Sequence, residues 1–120
     1  MKTKKGNFDT GDVWLDHLTE QQKTRLPSDA QASRLSGAFG EGWQHLFSQL
    51  GIPKAKMDQI RMSNPHSSSV VIKDLIIHWR QKNGRKAQFI VLLQAMQSVN
   101  DQCTINWEIV EKVAKESDEV

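Results

Sequence analysis

A chain of 120 residues, 38% hydrophobic and 25% charged, has the size and composition of one globular domain able to bury a core without metal or disulfide staples. Its single cysteine, Cys103, excludes an internal disulfide and fits a reducing compartment. The longest unbroken run of large apolar residues, Phe89–Leu93, falls far short of the ~20 residues of a membrane span. No apolar core follows the basic start MKTKKGNFDT, so it is no signal peptide, and a soluble, cytoplasmic protein is expected. The net charge of +2 hides an asymmetry. Residues 41–86 carry eight basic and three acidic side chains, residues 87–100 carry neither, and residues 101–120 carry two basic and six acidic ones. A basic middle and an acidic end attract copies of the same chain or an oppositely charged partner.

Residues 1–27 read as a flexible N-terminal segment with a short helix, capped by Asp12, docked through Trp14 and Leu18, and stopped at Pro27. Ser28 or Asp29 can cap the next helix, which carries Leu35 and Phe39 on one face. Gly40 and Gly42 predict a kink or break, after which Trp43, Leu46, Phe47 and Leu50 resume helical spacing until Gly51 stops it. Pro53 opens a helix with Met57 and Ile60 inside and Lys54, Lys56, Asp58 and Arg61 outside, ending before Pro65. Residues 66–69 read as a linker in which Ser68 or Ser69 caps the helix beginning at Val70, leaving room for one short turn at most between Met62 and Ser69.

The stretch Val70–Met96 is the expected centre of the molecule. Ile72, Leu75, Ile76 and Trp79 recur at i, i+3, i+4, i+7, the signature of a half-buried helix. A basic turn, Arg80–Lys86, leads to Ala87–Met96, which is apolar on nearly every face and must be surrounded by other helices. The last helix places Ile105, Ile109 and Val113 on one stripe, with Thr104 as its expected cap, and frays into an acidic tail at 116–120. No alternating segment bounded by turns predicts a strand. Short connections between five or six short helices imply an all-α, antiparallel bundle over residues 28–115.

Catalytic chemistry finds little footing. His17, His45, His66 and His78 form no HExxH pattern, and no His–Cys pair has metal-ligand spacing. His45 and His78 fall on helices beside core positions and read as structural or solvent-facing. Ser67–Ser69 lack a nucleophile elbow, and Gly37, Gly40 and Gly42 lack the strand a phosphate-cradling loop needs. No enzyme activity, cofactor or metal is expected.

The ordered set of blocks resembles the death domain, a six-helix bundle of the death-fold superfamily. Gly42-Trp43-Gln44-His45-Leu46-Phe47-Ser48-Gln49-Leu50-Gly51-Ile52 resembles the family's first helix. Met57-Asp58-Gln59-Ile60 looks like the second-helix Ile-Asp-x-Ile segment, and Leu75-Ile76-Ile77-His78-Trp79 like the fourth-helix Leu-Leu-x-x-Trp. Gly84 and Ala87 follow Trp79 with the family spacing, then Leu93 and Met96 in the fifth helix. Phe47 departs from the family, which usually has alanine there, and the polar stretch Met62–Ser69 makes a short or degenerate third helix. The Arg-x-Asp-Leu signature of the death-effector domain is absent from the closing helix, and the Trp79–Gly84 spacing separates the chain from the CARD subfamily.

The resemblance implies a non-enzymatic signalling adaptor, Fas-associated-like or immune-deficiency-like, that binds other death domains homotypically in apoptotic or innate-immune signalling. The charge pattern places the expected partner binding on exposed charge: Lys54, Lys56, Asp58, Arg61, Lys73, Asp74, Arg80, Lys82, Arg85 and Lys86 on the basic side, and Glu108, Glu111 or Asp101 on the acidic side, without membrane contact. The rival reading uses the same lysines and arginines to bind nucleic-acid phosphates. The small total charge and the acidic tail argue against it.

Overall fold

The computed structural model describes residues 14–116. Asp12, the expected first cap, and the acidic tail beyond Glu116 lie outside the described residues. Residues 14–16 are helical. Seven helices follow: α1 (Glu20–Thr24), α2 (Asp29–Leu35), α3 (Trp43–Gln49), α4 (Lys54–Ser63), α5 (Ser68–Asn83), α6 (Phe89–Ser98) and α7 (Trp107–Ala114), with single 3-10 turns at Ser36–Ala38 and Gly84–Lys86. The molecule is all-helical over these residues, with one isolated antiparallel bridge between Phe39 and Ile105.

Four of the seven helices start at a residue whose side chain accepts from the first turn. The Thr19 and Ser28 hydroxyls accept from the Gln22 and Gln31 N–H groups at 3.0 and 3.1 Å, and each glutamine side chain accepts in return from the cap N–H, two complete capping boxes. Ser67 caps α5, one residue before the expected Ser68. Asn106, not Thr104, caps α7. Thr104 is committed elsewhere: its N–H donates to the Glu41 carbonyl at 2.9 Å and its carbonyl accepts from the Gly40 N–H at 2.8 Å.

That short ladder explains the break after α2. Gly42 takes φ +91°, and a Cβ there would lie 2.0 Å from the Gln102 carbonyl oxygen. The chain turns out of one helix and into another, so residues 29–50 form two helices rather than one kinked helix. The bundle thereby reaches six helices from Asp29 without one between Ser63 and Ser68, where only a turn is found. The third helix in order is α4, ten residues long and not degenerate. The Gly42–Ile52 block is correspondingly the second helix, not the first.

The core is built on α5 and α6, as the pattern of Val70–Met96 requires. Leu75, Ile76 and Trp79 from α5 and Phe89, Leu92, Leu93 and Met96 from α6 are buried, joined by Leu35, Leu46, Phe47, Val110 and Val113. Trp43, whose helical spacing with Leu46, Phe47 and Leu50 predicts a core position, is instead half-buried at the edge. It meets Phe47 edge-on at 6.2 Å, and Phe47 meets Phe39 at 6.5 Å. A phenylalanine at position 47 is therefore accommodated as the middle ring of an aromatic trio.

The chain before α2 is woven into this bundle. Trp14, Leu15 and Leu18 are buried, and Trp14 packs against Trp107 of α7 in a T-shaped pair at 6.4 Å. The Arg25 guanidinium donates to the carbonyls of Val113, Ala114 and Glu116 at 2.8–3.1 Å, occupying acceptors that a helix C-terminus leaves open. The same group lies over the Phe89 ring, while the Arg25 carbonyl accepts from the Phe89 N–H. Arg34 closes the corner with a 2.8 Å bond from its Nε to the Glu116 carboxylate.

Candidate protein-interaction surface

The expected partner-binding residues divide into those occupied within the fold and those left to solvent. Arg80 is occupied. It pairs with Asp29 at 2.7 Å, donates to the Pro27 carbonyl at 2.9 Å, and its side chain is only 22% exposed. It fastens α5 to the start of α2. Asp74 is likewise engaged: the Asn64 amide donates to it at 3.3 Å and to the Ile60 carbonyl at 3.1 Å, tying the end of α4 to α5. On α4, Asp58 sits between Lys54 at 2.9 Å and Arg61 at 3.6 Å, and Lys56 donates to Gln59 at 3.0 Å. These are exposed pairs at helical spacing, each contributing about 0–1 kcal/mol, and water or a partner can replace them cheaply.

Lys82, Arg85 and Lys86 are exposed and form no ion pair among the described residues. The 3-10 turn Gly84–Lys86 holds the last two out from the bundle, with Gly84 at φ +57° and the Ala87 N–H closing on its carbonyl at 3.0 Å. Lys82 lies one turn beyond His78 on α5, and Lys56 faces them from α4. The His78 imidazole is held below its ordinary range by partial burial first, then by the charges of Lys56 and Lys82. His78, read from sequence as structural or solvent-facing, is half-exposed and shares a face with Lys82 four residues on. Lys73 is half-exposed on the same helix.

The acidic set lies at the other end of α6. Asp101 follows the C-terminus of that helix, and Glu41 is brought beside it by the Glu41–Thr104 backbone bond. Glu108 stands exposed in the first turn of α7, where the helix dipole favours a carboxylate. Glu111, in contrast, is paired with Lys115 at 2.6 Å. The ten residues of α6 put about 15 Å of helix between the two charged ends.

Two open depressions flank these groups. One, about 730 Å³, is walled by Glu41, His45, Asp101, Gln102 and Trp107. The other, about 630 Å³, lies between α3, α4 and α5, with Trp43, Arg61, Pro65 and Val71 in its wall and the 79%-exposed Met62 on its rim. Among the described residues no three His, Cys, Asp or Glu side chains approach closely enough to hold a metal. None of their helices is long and apolar enough to cross a membrane.

A bundle of six helices, the fifth buried through Phe89, Leu92, Leu93 and Met96 and open to solvent at Val91 and Gln94, with charged outer faces, defines the death-fold class. The Death domain family model matches residues 29–105, and the chain belongs to the death domain family. Death domains are protein–protein interaction modules, generally of apoptotic and inflammatory signalling. The match begins at α2 and ends before α7, so the arm carrying Trp14 and Arg25 and the helix it clasps both lie outside it.

Proposed function

We propose that this chain is a signalling adaptor module that binds other death domains homotypically through charge, in apoptotic or innate-immune signalling, within the cytoplasm. The observation that carries the reading is the segregation of unpaired charge to opposite ends of α6: Lys82, Arg85 and Lys86 before it, Asp101 and Glu108 after it. A basic end on one domain meets an acidic end on the next. Lys73 extends the basic side directly, Lys54, Lys56, Asp58 and Arg61 extend it once their internal pairs exchange, and Glu111 extends the acidic side in the same way. Arg80 and Asp74 act indirectly, by fixing α5 to its neighbours.

Each exposed pair contributes little, so several together set orientation, on-rate and partner choice. Repetition then raises avidity without stronger single contacts. An adaptor of the Fas-associated or immune-deficiency type suits a module with two unlike docking ends. The test is affinity capture from lysate with the wild type and with an Arg85→Glu/Lys86→Glu variant, alongside far-ultraviolet circular dichroism. Wild type should retain death-fold proteins, and the variant should lose them while keeping its helical spectrum. Capture unaffected by the charge reversal would overturn the proposed surface. Tight binding of labelled duplex DNA or RNA at near-physiological salt would overturn the homotypic reading.

A further inference from the structure

The α4–α5 face holds a feature that homotypic docking does not require. His78 and Lys82 lie four residues apart on α5, on one face of that helix. Lys56 faces them across the packing line between α4 and α5, its ammonium steadied 3.0 Å from the Gln59 side chain. The line is fixed at its far end by the Asn64–Asp74 bond. The charged groups around the imidazole are thus Lys82 one turn on and Asp74 one turn back on its own helix, the latter engaged by Asn64. On α4 there is Lys56, and beyond it the Lys54–Asp58 pair. Arg85 and Lys86 extend the cationic edge.

We propose that this face is a carboxylate-docking surface whose affinity is set by proton uptake on His78, and that its occupant is the acidic end of a second copy of the chain. The proposal rests on the homotypic reading and adds regulation to it. The second copy is the choice because the chain carries the complementary group itself. Glu41, Asp101 and Glu108 are exposed, form no ion pair among the described residues, and sit at the end of α6 remote from the basic edge. Contacts between unlike ends are heterologous and propagate rather than close as a twofold pair.

The direction follows from charge. In the free domain, burial and two ammonium neighbours disfavour the imidazolium. An arriving carboxylate favours the imidazolium, so the docked His78 titrates at higher pH than the free one. Docking then takes up a proton, and affinity rises as the pH falls through that interval. It stops rising where the partner carboxylates begin to protonate.

The experiment is sedimentation equilibrium of the chain at pH about 7.4 and about 6.0, the interval in which histidine titrates. Wild type should associate about threefold or more tightly at the lower pH. His78→Gln should associate with no such gain, and His78→Lys should show the tighter value at both. Circular dichroism establishes that both variants fold. Association that is unchanged with pH, or a pH gain that persists in His78→Gln, overturns proton linkage and leaves the homotypic reading standing. No association at either pH overturns the second copy as occupant and counts against that reading as well.

Discussion

Single residues carry unequal shares of this fold. Trp79 is buried between α5 and its neighbours, and Trp79→Ala should cost about 3–5 kcal/mol, a large part of the ~5–15 kcal/mol total of an ordinary domain, measured as a fall in denaturation midpoint. Gly42 is constrained differently. Its left-handed φ costs an L-residue about 1–2 kcal/mol, and a methyl group would strike the Gln102 carbonyl. Gly42→Ala should therefore destabilise by more than the backbone term alone, and hydrogen exchange should rise around residues 102–104, where the loop must shift. A variant with wild-type stability would mean that the loop yields freely. Cys103 is buried, and burial pushes its thiol above the ordinary range, so the thiolate is scarce at neutral pH. The sign is that of a group kept neutral by the fold: its contribution to stability is present below the unfolded pKa and lost as the pH rises through the folded one. Ellman's reagent should react with the native protein far more slowly than with the denatured chain. Equal rates would contradict the burial.

At the scale of elements, the arm before α2 does what no helix of the bundle does for α7. Arg25 supplies donors to three carbonyls at or beyond its C-terminus, Trp14 packs on Trp107 at the other end, and Gln22 reaches the Lys115 carbonyl at 3.3 Å. Hydrogen bonds to a charged group contribute about 1.5–3 kcal/mol each, although these three share one guanidinium and are not independent. Arg25→Ala should thus loosen α7 selectively. Backbone amides of residues 110–114 should exchange faster while those of α5 and α6 hold their protection, and uniform loss would assign Arg25 to the global core instead. How far such features can be read from sequence depends on their range. Helices with periodic apolar faces, such as Val70–Trp79 and Ala87–Met96, are local in cause and were legible. The break at Gly40–Gly42 was legible as a weak point, but its sharpness depends on a ladder to residue 104, some sixty positions away. The same ladder moved the α7 cap from Thr104 to Asn106. Arg80 read as surface charge, and Arg25 drew no reading, because their acceptors, the carbonyls of Pro27 and of α7, are backbone atoms that leave no trace in side-chain pattern. His78 was hidden for a related reason, since its second cationic neighbour, Lys56, lies on another helix.

Across the whole molecule the proposed docking charges lie at the two ends of α6, the cationic edge before it and the carboxylates after it. Exposed charges are screened beyond about 8 Å at physiological ionic strength, so head-to-tail association should weaken steeply with salt. A sharper consequence comes from the two ends being different. Neutralising the cationic edge with Lys82→Gln, Arg85→Gln and Lys86→Gln leaves one competent end, and neutralising the acidic end with Asp101→Asn and Glu108→Gln leaves the other. Each variant alone should remain monomeric. Mixed in equal amounts, they have one complementary pair of ends between them, so they should form a heterodimer that does not grow, while wild type continues to larger species with concentration. Light scattering of the three samples separates the cases. Closed dimers from wild type, or from either variant alone, would show that the contact uses one patch twice. The polarity of α6 would then have no part in assembly.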